Sequence, residues 1–336
     1  MKTAVIGCGN ISGCHFKAIE KIDGAVLSAV ADIKKERAEN AAEKYGCKAY
    51  TDYIKMLDEE KPDCVHICTP HYLHDEMAAQ ALRRGINVLS EKPCAISLDG
   101  LEKIKAALAE GGAQYGVCFQ NRYNESVLTA KKITDSREYG NIVCVRALVH
   151  WKREKEYYCD DWHGKKDKEG GGVLINQAVH TLDLMRYILG EDMKSVSGHI
   201  FNEKFGGLIE VEDTVSARFE TQSGITALLS ATVAAGCDHP VMIDIVCENA
   251  VLRIEGNNAY RIKDGDIQRL YLDGSTAFSG RKYWGNGHES LIADFYDSVK
   301  TGRKFLVDFS EAEKSVREFV AVYTSAKRDE KVNIQY

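Results

Sequence analysis

Apolar and polar positions change their rhythm about a third of the way along the chain. Up to residue 120, short apolar runs rich in β-branched residues alternate with amphipathic stretches. The runs cover residues 3–6, 25–31, 65–70, 85–89 and 114–119. Glycine, proline or a charged residue bounds them, as is usual for buried parallel strands. The intervening stretches repeat at helical spacing through Ile22, up to Tyr45, and over 75–84 and 98–109. Strands and helices in strict alternation predict a parallel, right-handed doubly wound sheet.

Beyond residue 120 the alternation stops. A helix is predicted over 124–136, a strand over 142–151, then a polar loop and a helix starting near Gly172. Past Ser195 the period falls to two, over 215–219, 225–229, 242–246 and 250–254, with Gly224, Asn249 and Gly256 as turns. This predicts a mostly antiparallel open sheet of six or more strands with helices on one side, an α+β unit. Helices over 289–300 and 311–327 close the chain, the second reading as amphipathic packing. The expected division is a nucleotide-binding domain over 1–121 and a substrate-binding and oligomerisation domain over 122–336. A sheet with one free face suits a second copy of itself, so a homodimer or homotetramer through this sheet is expected.

Composition narrows the function. A chain of 336 residues has room for two cores. A formal net charge of -6 recruits neither nucleic acid nor an anionic membrane, and no apolar run approaches the roughly 20 residues of a membrane span. The first residues enter a strand directly, without signal-peptide character, which points to the cytoplasm. Eleven cysteines, an odd number scattered through strands and helices, read as reduced thiols. Cys64 and Cys68 lack the second pair that a zinc site needs, so no metal is expected.

The chemistry sits where strands end. Gly7-Cys8-Gly9-Asn10-Ile11-Ser12 follows the first strand and opens a helix, the context of a dinucleotide fingerprint. Gly7 allows the turn and Gly9 the close approach of a pyrophosphate, which the helix start at Asn10 and Ile11 would bind. Ser12 takes the third glycine position. Asp32 ends the second strand, placed for the adenosine ribose hydroxyls. Its charge argues for NAD over NADP, while Lys34 and Arg37 could offset the repulsion of a 2′-phosphate. Thr69 and Pro70 would wall the pyrophosphate and nicotinamide ribose; His74 stands beside them, better suited to capping or packing the next helix. Glu91 and Lys92 end the strand over 85–89, where Pro93 restrains the lysine to an extended conformation. Gln120 and Arg122 sit at the same level, on the expected cofactor side.

The second informative stretch runs from Glu169 through Gly170-Gly171-Gly172 to Asp183. Three glycines let backbone approach a ligand or another helix closely. Asn176 and His180, four apart, share a helical face in a continuous helix, and Asp183 neighbours His180 as an orienting or capping residue. Tyr157, Tyr158, Trp162 and His163 lie in the preceding loop, where Tyr158 and Trp162 could stack on a carbohydrate or simply pin the loop. His288, after Tyr283-Trp284-Gly285-Asn286-Gly287, is a further substrate-contact candidate.

Gly-x-Gly-x-x-Ser, Asp32, Cys68-Thr69-Pro70, Glu91-Lys92-Pro93 and the glycine run leading to His180-x-x-Asp183 together resemble the glucose–fructose oxidoreductase/inositol dehydrogenase/MocA family, over essentially the whole chain. The resemblance implies a Rossmann domain plus an α/β domain with a large open sheet. It implies NAD(P)-dependent oxidation or reduction of sugars, inositols or their derivatives, with Lys92 as catalytic lysine and His180 as catalytic histidine. Members such as inositol dehydrogenase carry an aspartate one turn before the histidine, where this chain has Asn176. The acid is therefore missing or supplied elsewhere. The expected reaction moves a hydride between nicotinamide and a secondary alcohol carbon. His180 would take the hydroxyl proton and Lys92 would stabilise charge on the oxygen. A redox-neutral glycosidase with retained NAD, or a nucleotide-sensing regulator without catalysis, are the rival readings.

Overall fold

The computed structural model describes residues 1–273 and 287–336. They form two compact units: residues 1–119 with 288–316, and residues 120–287 with 317–336. This differs from a single boundary at 121, because residues 288–316 join the first unit. An amphipathic helix shows in sequence that it packs, not on which sheet.

In the first unit six strands form one parallel sheet: β1 (Lys2–Ile6), β2 (Val26–Ala31), β3 (Lys48–Tyr50), β4 (Cys64–Ile67), β5 (Asn87–Ser90) and β6 (Tyr115–Val117), in the order β3-β2-β1-β4-β5-β6. The order reverses at β1, the point where a doubly wound sheet opens a crevice at its carboxyl edge. Ala4, Val5, Val30, Val65, Val88 and Leu89 are fully buried, which explains why these strands read as unbroken apolar runs. Strand β3 and the helix Tyr53–Glu60 escape the sequence pattern. Their one local signal is Asp52, whose side chain accepts from Ile54 N and Lys55 N and starts that helix. The helix Gly287–Thr301 packs here from His288 onward: Tyr296 is buried and shares a hydrogen bond with Thr3 of β1 (3.0 Å).

The second unit holds β7 (Ile142–His150), β8 (Met193–Phe201), β9 (Thr214–Thr221), β10 (Thr226–Thr232), β11 (Met242–Cys247), β12 (Val251–Glu255), β13 (Asn258–Lys263), β14 (Asp266–Tyr271) and β15 (Val332–Asn333). Among the described residues these make a nine-stranded sheet, antiparallel except for the β7–β10 pair. Alternate residues point to one buried face (Val145, Ala147, Val149, Val215, Ala217, Phe219), covered by helices that include Glu125–Ser136 and Val179–Leu189. The predicted period of two is this alternation.

Candidate active site

The glycine turn is built by backbone crowding on one side and open space on the other. Gly7 has φ +93°, and a Cβ there would lie 2.6 Å from the carbonyl oxygen of Cys68. Only glycine fits. A Cβ on Gly9 would meet nothing within 4 Å, so the turn is open where a pyrophosphate would approach. Ser12 Oγ donates to Gly9 O (2.7 Å), and the helix Ser12–Lys21 begins with no side-chain cap at Ile11. Its first N–H groups and the adjoining Asn10 backbone suit an anion. Asp32 braces the turn: Oδ2 accepts from Cys8 N (2.9 Å) and Oδ1 from Lys34 N (2.8 Å). Each oxygen keeps a lone pair for a ribose hydroxyl. The donor set and the open cradle fit a dinucleotide. Burial, then the Asp32 charge, push the Cys8 thiol up to about 12, so it stays an inert lining group.

Thr69, Pro70, Glu91 and Lys92 follow the ends of β4 and β5, on the same carboxyl edge as Gly7 and Asp32. The Lys92–Pro93 peptide is cis, and Lys92 is half-buried. His74 is fully buried, its two ring nitrogens each 2.7 Å from a carbonyl oxygen, of Pro93 and of Thr69. A neutral ring has one N–H and donates to one of these carbonyls, so His74 packs between the turns that follow β4 and β5.

Beneath Lys92 lies a buried polar chain that the sequence did not reveal. Glu91 Oε1 is 3.1 Å from His15 Nε2, and His15 Nδ1 is 2.8 Å from His66 Nδ1. His66 Nε2 is 2.9 Å from the Tyr296 hydroxyl, which reaches Thr3. A carboxylate only accepts, so His15 Nε2 donates. His66 is neutral, because burial pushes its pKa well below the ordinary value. The nitrogen–nitrogen contact therefore holds a single proton. Burial alone would raise the Glu91 carboxyl, yet the donors on His15 and His288 hold it well below the usual range. Glu91 Oε2 in turn accepts weakly from the Lys92 N–H (3.3 Å). Glu91 faces histidines, and His288, 7 % exposed and 3.5 Å from Glu91 Oε1, joins this network. Residues 283–286 ahead of it lie outside the described residues. With Cys118, His15 and Glu91 also bring three ligand-type atoms within 4.8 Å of one another, but the direct His15–Glu91 bond already satisfies that pair.

In the second unit the glycine run is explained by packing. A Cβ on Gly172 would sit 1.8 Å from Glu212 O, and one on Gly171 2.0 Å from the Tyr323 hydroxyl. The Glu212 carboxylate accepts from Gly172 N and Leu174 N (both 3.0 Å) and from Tyr323 (2.9 Å), capping the short helix Val173–Asn176. That helix is not continuous with Val179–Leu189. Ala178 N bonds back five residues to Val173 O (2.8 Å), a local widening that breaks the four-residue register expected between Asn176 and His180. His180 is 9 % exposed in the first turn of the second helix.

Asn176 donates from Nδ2 to Glu169 Oε1 (2.6 Å) and to the Tyr157 hydroxyl (3.0 Å). A buried acid, Glu169, thus stands against Asn176, and sequence reading passed over it. Asp183 is held by two arginines of the same unit. It takes a bidentate bond from Arg122 (2.8 and 2.6 Å) and another from Arg186 (3.1 Å), all buried. Arg122, 1 % exposed, is a core partner of that helix. Gln120 is buried in the turn Gln120–Tyr123 of this second unit. Tyr158 packs edge-on against Tyr157 and Phe205, and Trp162 lies 3.8 Å from the His163 ring, so these loop aromatics hold one another.

A crevice-forming parallel sheet with a glycine turn, a ribose-type acid and a lysine along one edge defines a dinucleotide-dependent enzyme of the Rossmann class. Comparison with known proteins agrees. The model of the oxidoreductase family with NAD-binding Rossmann fold (Gfo/Idh/MocA) matches residues 1–119, and that of the Gfo/Idh/MocA C-terminal domain matches residues 127–253. The chain belongs to the Gfo/Idh/MocA family and is an NAD-binding oxidoreductase. It is 27 % identical to scyllo-inositol 2-dehydrogenase (NAD(+)) of Bacillus subtilis strain 168 over 250 residues, 73 % of this chain and 71 % of the relative. To an inositol 2-dehydrogenase of Rubrobacter xylanophilus it is 27 % identical over 285 residues, 80 % and 78 % of the two chains. Among solved structures it resembles the WlbA dehydrogenase of Bordetella pertussis in complex with NADH and UDP-GlcNAcA, at TM-score 0.87 and 25 % identity over 100 % of this chain and 99 % of that one.

Proposed function

We propose that this protein oxidises a secondary alcohol of a sugar, an inositol or a sugar derivative, or reduces the corresponding ketone, with NAD as hydride carrier. One observation supports the reading most: Gly7, Asp32, Thr69 and Lys92 all follow carboxyl ends of strands in one parallel sheet. Gly7, Gly9, Asn10, Ile11 and Asp32 would hold NAD, with Thr69 and Pro70 beside it, and the bound nicotinamide supplies a site that takes or gives hydride. Lys92 donates a hydrogen bond to the reacting oxygen and stabilises the charge that builds there. His180 removes the hydroxyl proton in the oxidative direction. Asn176 contacts a substrate hydroxyl. The substrates in the names of the relatives, inositols and a UDP-linked amino sugar acid, set the chemical range.

Asp32 favours NAD over NADP. The chain's eleven cysteines are all free, which supports a reducing, cytoplasmic setting. No helix among the described residues is long and apolar enough to cross a membrane. Arg146, Arg218 and Leu228 lie on the sheet face opposite the helices, a face suited to a homodimer or homotetramer contact. A panel of inositols, free sugars, sugar acids and nucleotide sugars, assayed for NADH formation, tests the reading. Turnover on a polyol or sugar is expected. Tight NAD binding with no NADH on any member, but cleavage of an aryl glycoside, would replace it with redox-neutral glycoside hydrolysis.

A further inference from the structure

Glu169 is 2 % exposed, and both of its oxygens are taken by N–H donors: Oε1 by Asn176 Nδ2 (2.6 Å) and Oε2 by Gly164 N (2.5 Å). Such a carboxylate can only accept. An asparagine amide, by contrast, presents oxygen or nitrogen with nearly the same shape, and a half-turn exchanges them. The second hydrogen on Asn176 Nδ2 goes to the Tyr157 hydroxyl (3.0 Å), which also takes Gln177 Nε2 (3.2 Å). Tyr157 stays a phenol, because burial and then the Glu169 charge raise its pKa. Both amide hydrogens are thus committed on one side. Turning the amide over would set its oxygen against a buried carboxylate oxygen, two acceptors at hydrogen-bond distance with no proton between them.

We propose that Glu169 is a positioning residue for the substrate site: it orients the Asn176 amide so that the oxygen, an acceptor, faces the substrate. The site therefore selects a substrate hydroxyl, a donor, at that position over an ether or carboxylate. This rests on the reading of Asn176 as a substrate contact. The same geometry explains why asparagine stands at position 176. An aspartate there would put two carboxylates within 2.6 Å, and they would have to share a proton.

The test is an exchange of polarity. Glu169→Gln leaves two amides that can pair either way; Asn176→Asp leaves two acids. The double variant Glu169→Gln/Asn176→Asp restores one donor facing one acceptor and still presents an oxygen to the substrate. kcat/KM on the best polyol of the panel, NADH affinity and thermal unfolding are measured for all four proteins. Each single variant should lose about tenfold to a hundredfold in kcat/KM, with NADH affinity unchanged, and the double variant should return to near wild type. A double variant that loses the product of the single losses, one that does not fold, or single variants with undiminished kcat/KM would overturn the proposal. If the wild type turns over nothing on the panel, the functional reading fails instead. The unfolding cycle then still decides whether the pair has the stated polarity, with restored stability supporting it and additive losses overturning it.

Discussion

His15 is the residue whose removal tests the buried chain under Lys92 most sharply. We predict the outcome of His15→Leu, which puts an apolar side chain of similar bulk in its place. Two groups lose partners at once: Glu91 Oε1, now 3.1 Å from His15 Nε2, and His66 Nδ1, now 2.8 Å from His15 Nδ1. A buried polar group left unsatisfied costs about 1–3 kcal/mol. His288 Nε2, 3.5 Å from the same Glu91 oxygen, takes over part of the loss. The variant should therefore be destabilised by about 2–4 kcal/mol. The deficit should also depend on pH. In the wild type the Glu91 carboxyl is held below its ordinary value. Its stabilising contribution is present above the unfolded carboxyl pKa of about 4.3 and lost as pH falls through the lower folded value. Without His15, burial dominates and raises that pKa, so ionised Glu91 destabilises the variant at neutral pH. The gap between the two proteins should be widest near neutrality and narrow as pH falls toward about 4.3. Calorimetry or circular dichroism is the right probe, because residues 1–119 and 288–316, which make the first unit, contain no tryptophan. A gap under about 0.5 kcal/mol, within the range of neutral surface changes, or one that ignores pH, would refute the network.

Two further predictions concern backbone and cofactor. Gly172→Ala would drive a methyl into the Glu212 carbonyl, 1.8 Å away, and should lower the melting temperature steeply or abolish soluble expression. Gly9→Ala meets no neighbour and should fold normally, yet lose at least about tenfold in NAD affinity by calorimetric titration as the methyl enters the pyrophosphate space. Wild type should prefer NAD to NADP in competition binding. Asp32→Ala should narrow that preference, with some loss of NAD affinity because Cys8 N also loses its acceptor; a wild type that prefers NADP would show that Lys34 and Arg37 dominate the loop.

What the sequence conveyed was local. The Rossmann order followed from apolar runs whose burial is nearly complete, and Gly7 from a turn that needs a positive φ. Asp32 could be placed because a carboxylate at the end of the second strand has a defined job. What it could not convey was who meets whom across long separations. Arg122 and Asp183 lie 61 residues apart and Thr3 and Tyr296 lie 293 apart, and nothing in either neighbourhood announces the pairing. Arg122 follows a strand end, which says nothing of its bond to Asp183. The break after Asn176 was hidden too, since a single widened turn leaves the apolar pattern unchanged. A Glu seven residues before Asn176 falls at helical spacing, the one clue that could have suggested Glu169; the three intervening glycines masked it.

The central claim is that Lys92 serves the substrate oxygen in an NAD-dependent alcohol oxidation. The direct measurement compares wild type and Lys92→Ala for NADH formation on the best panel substrate, with NAD affinity measured on both. The account predicts a fall in kcat on the order of 10²–10⁴-fold with NAD affinity nearly unchanged. A Lys92→Ala enzyme turning over at close to the wild-type rate would contradict it.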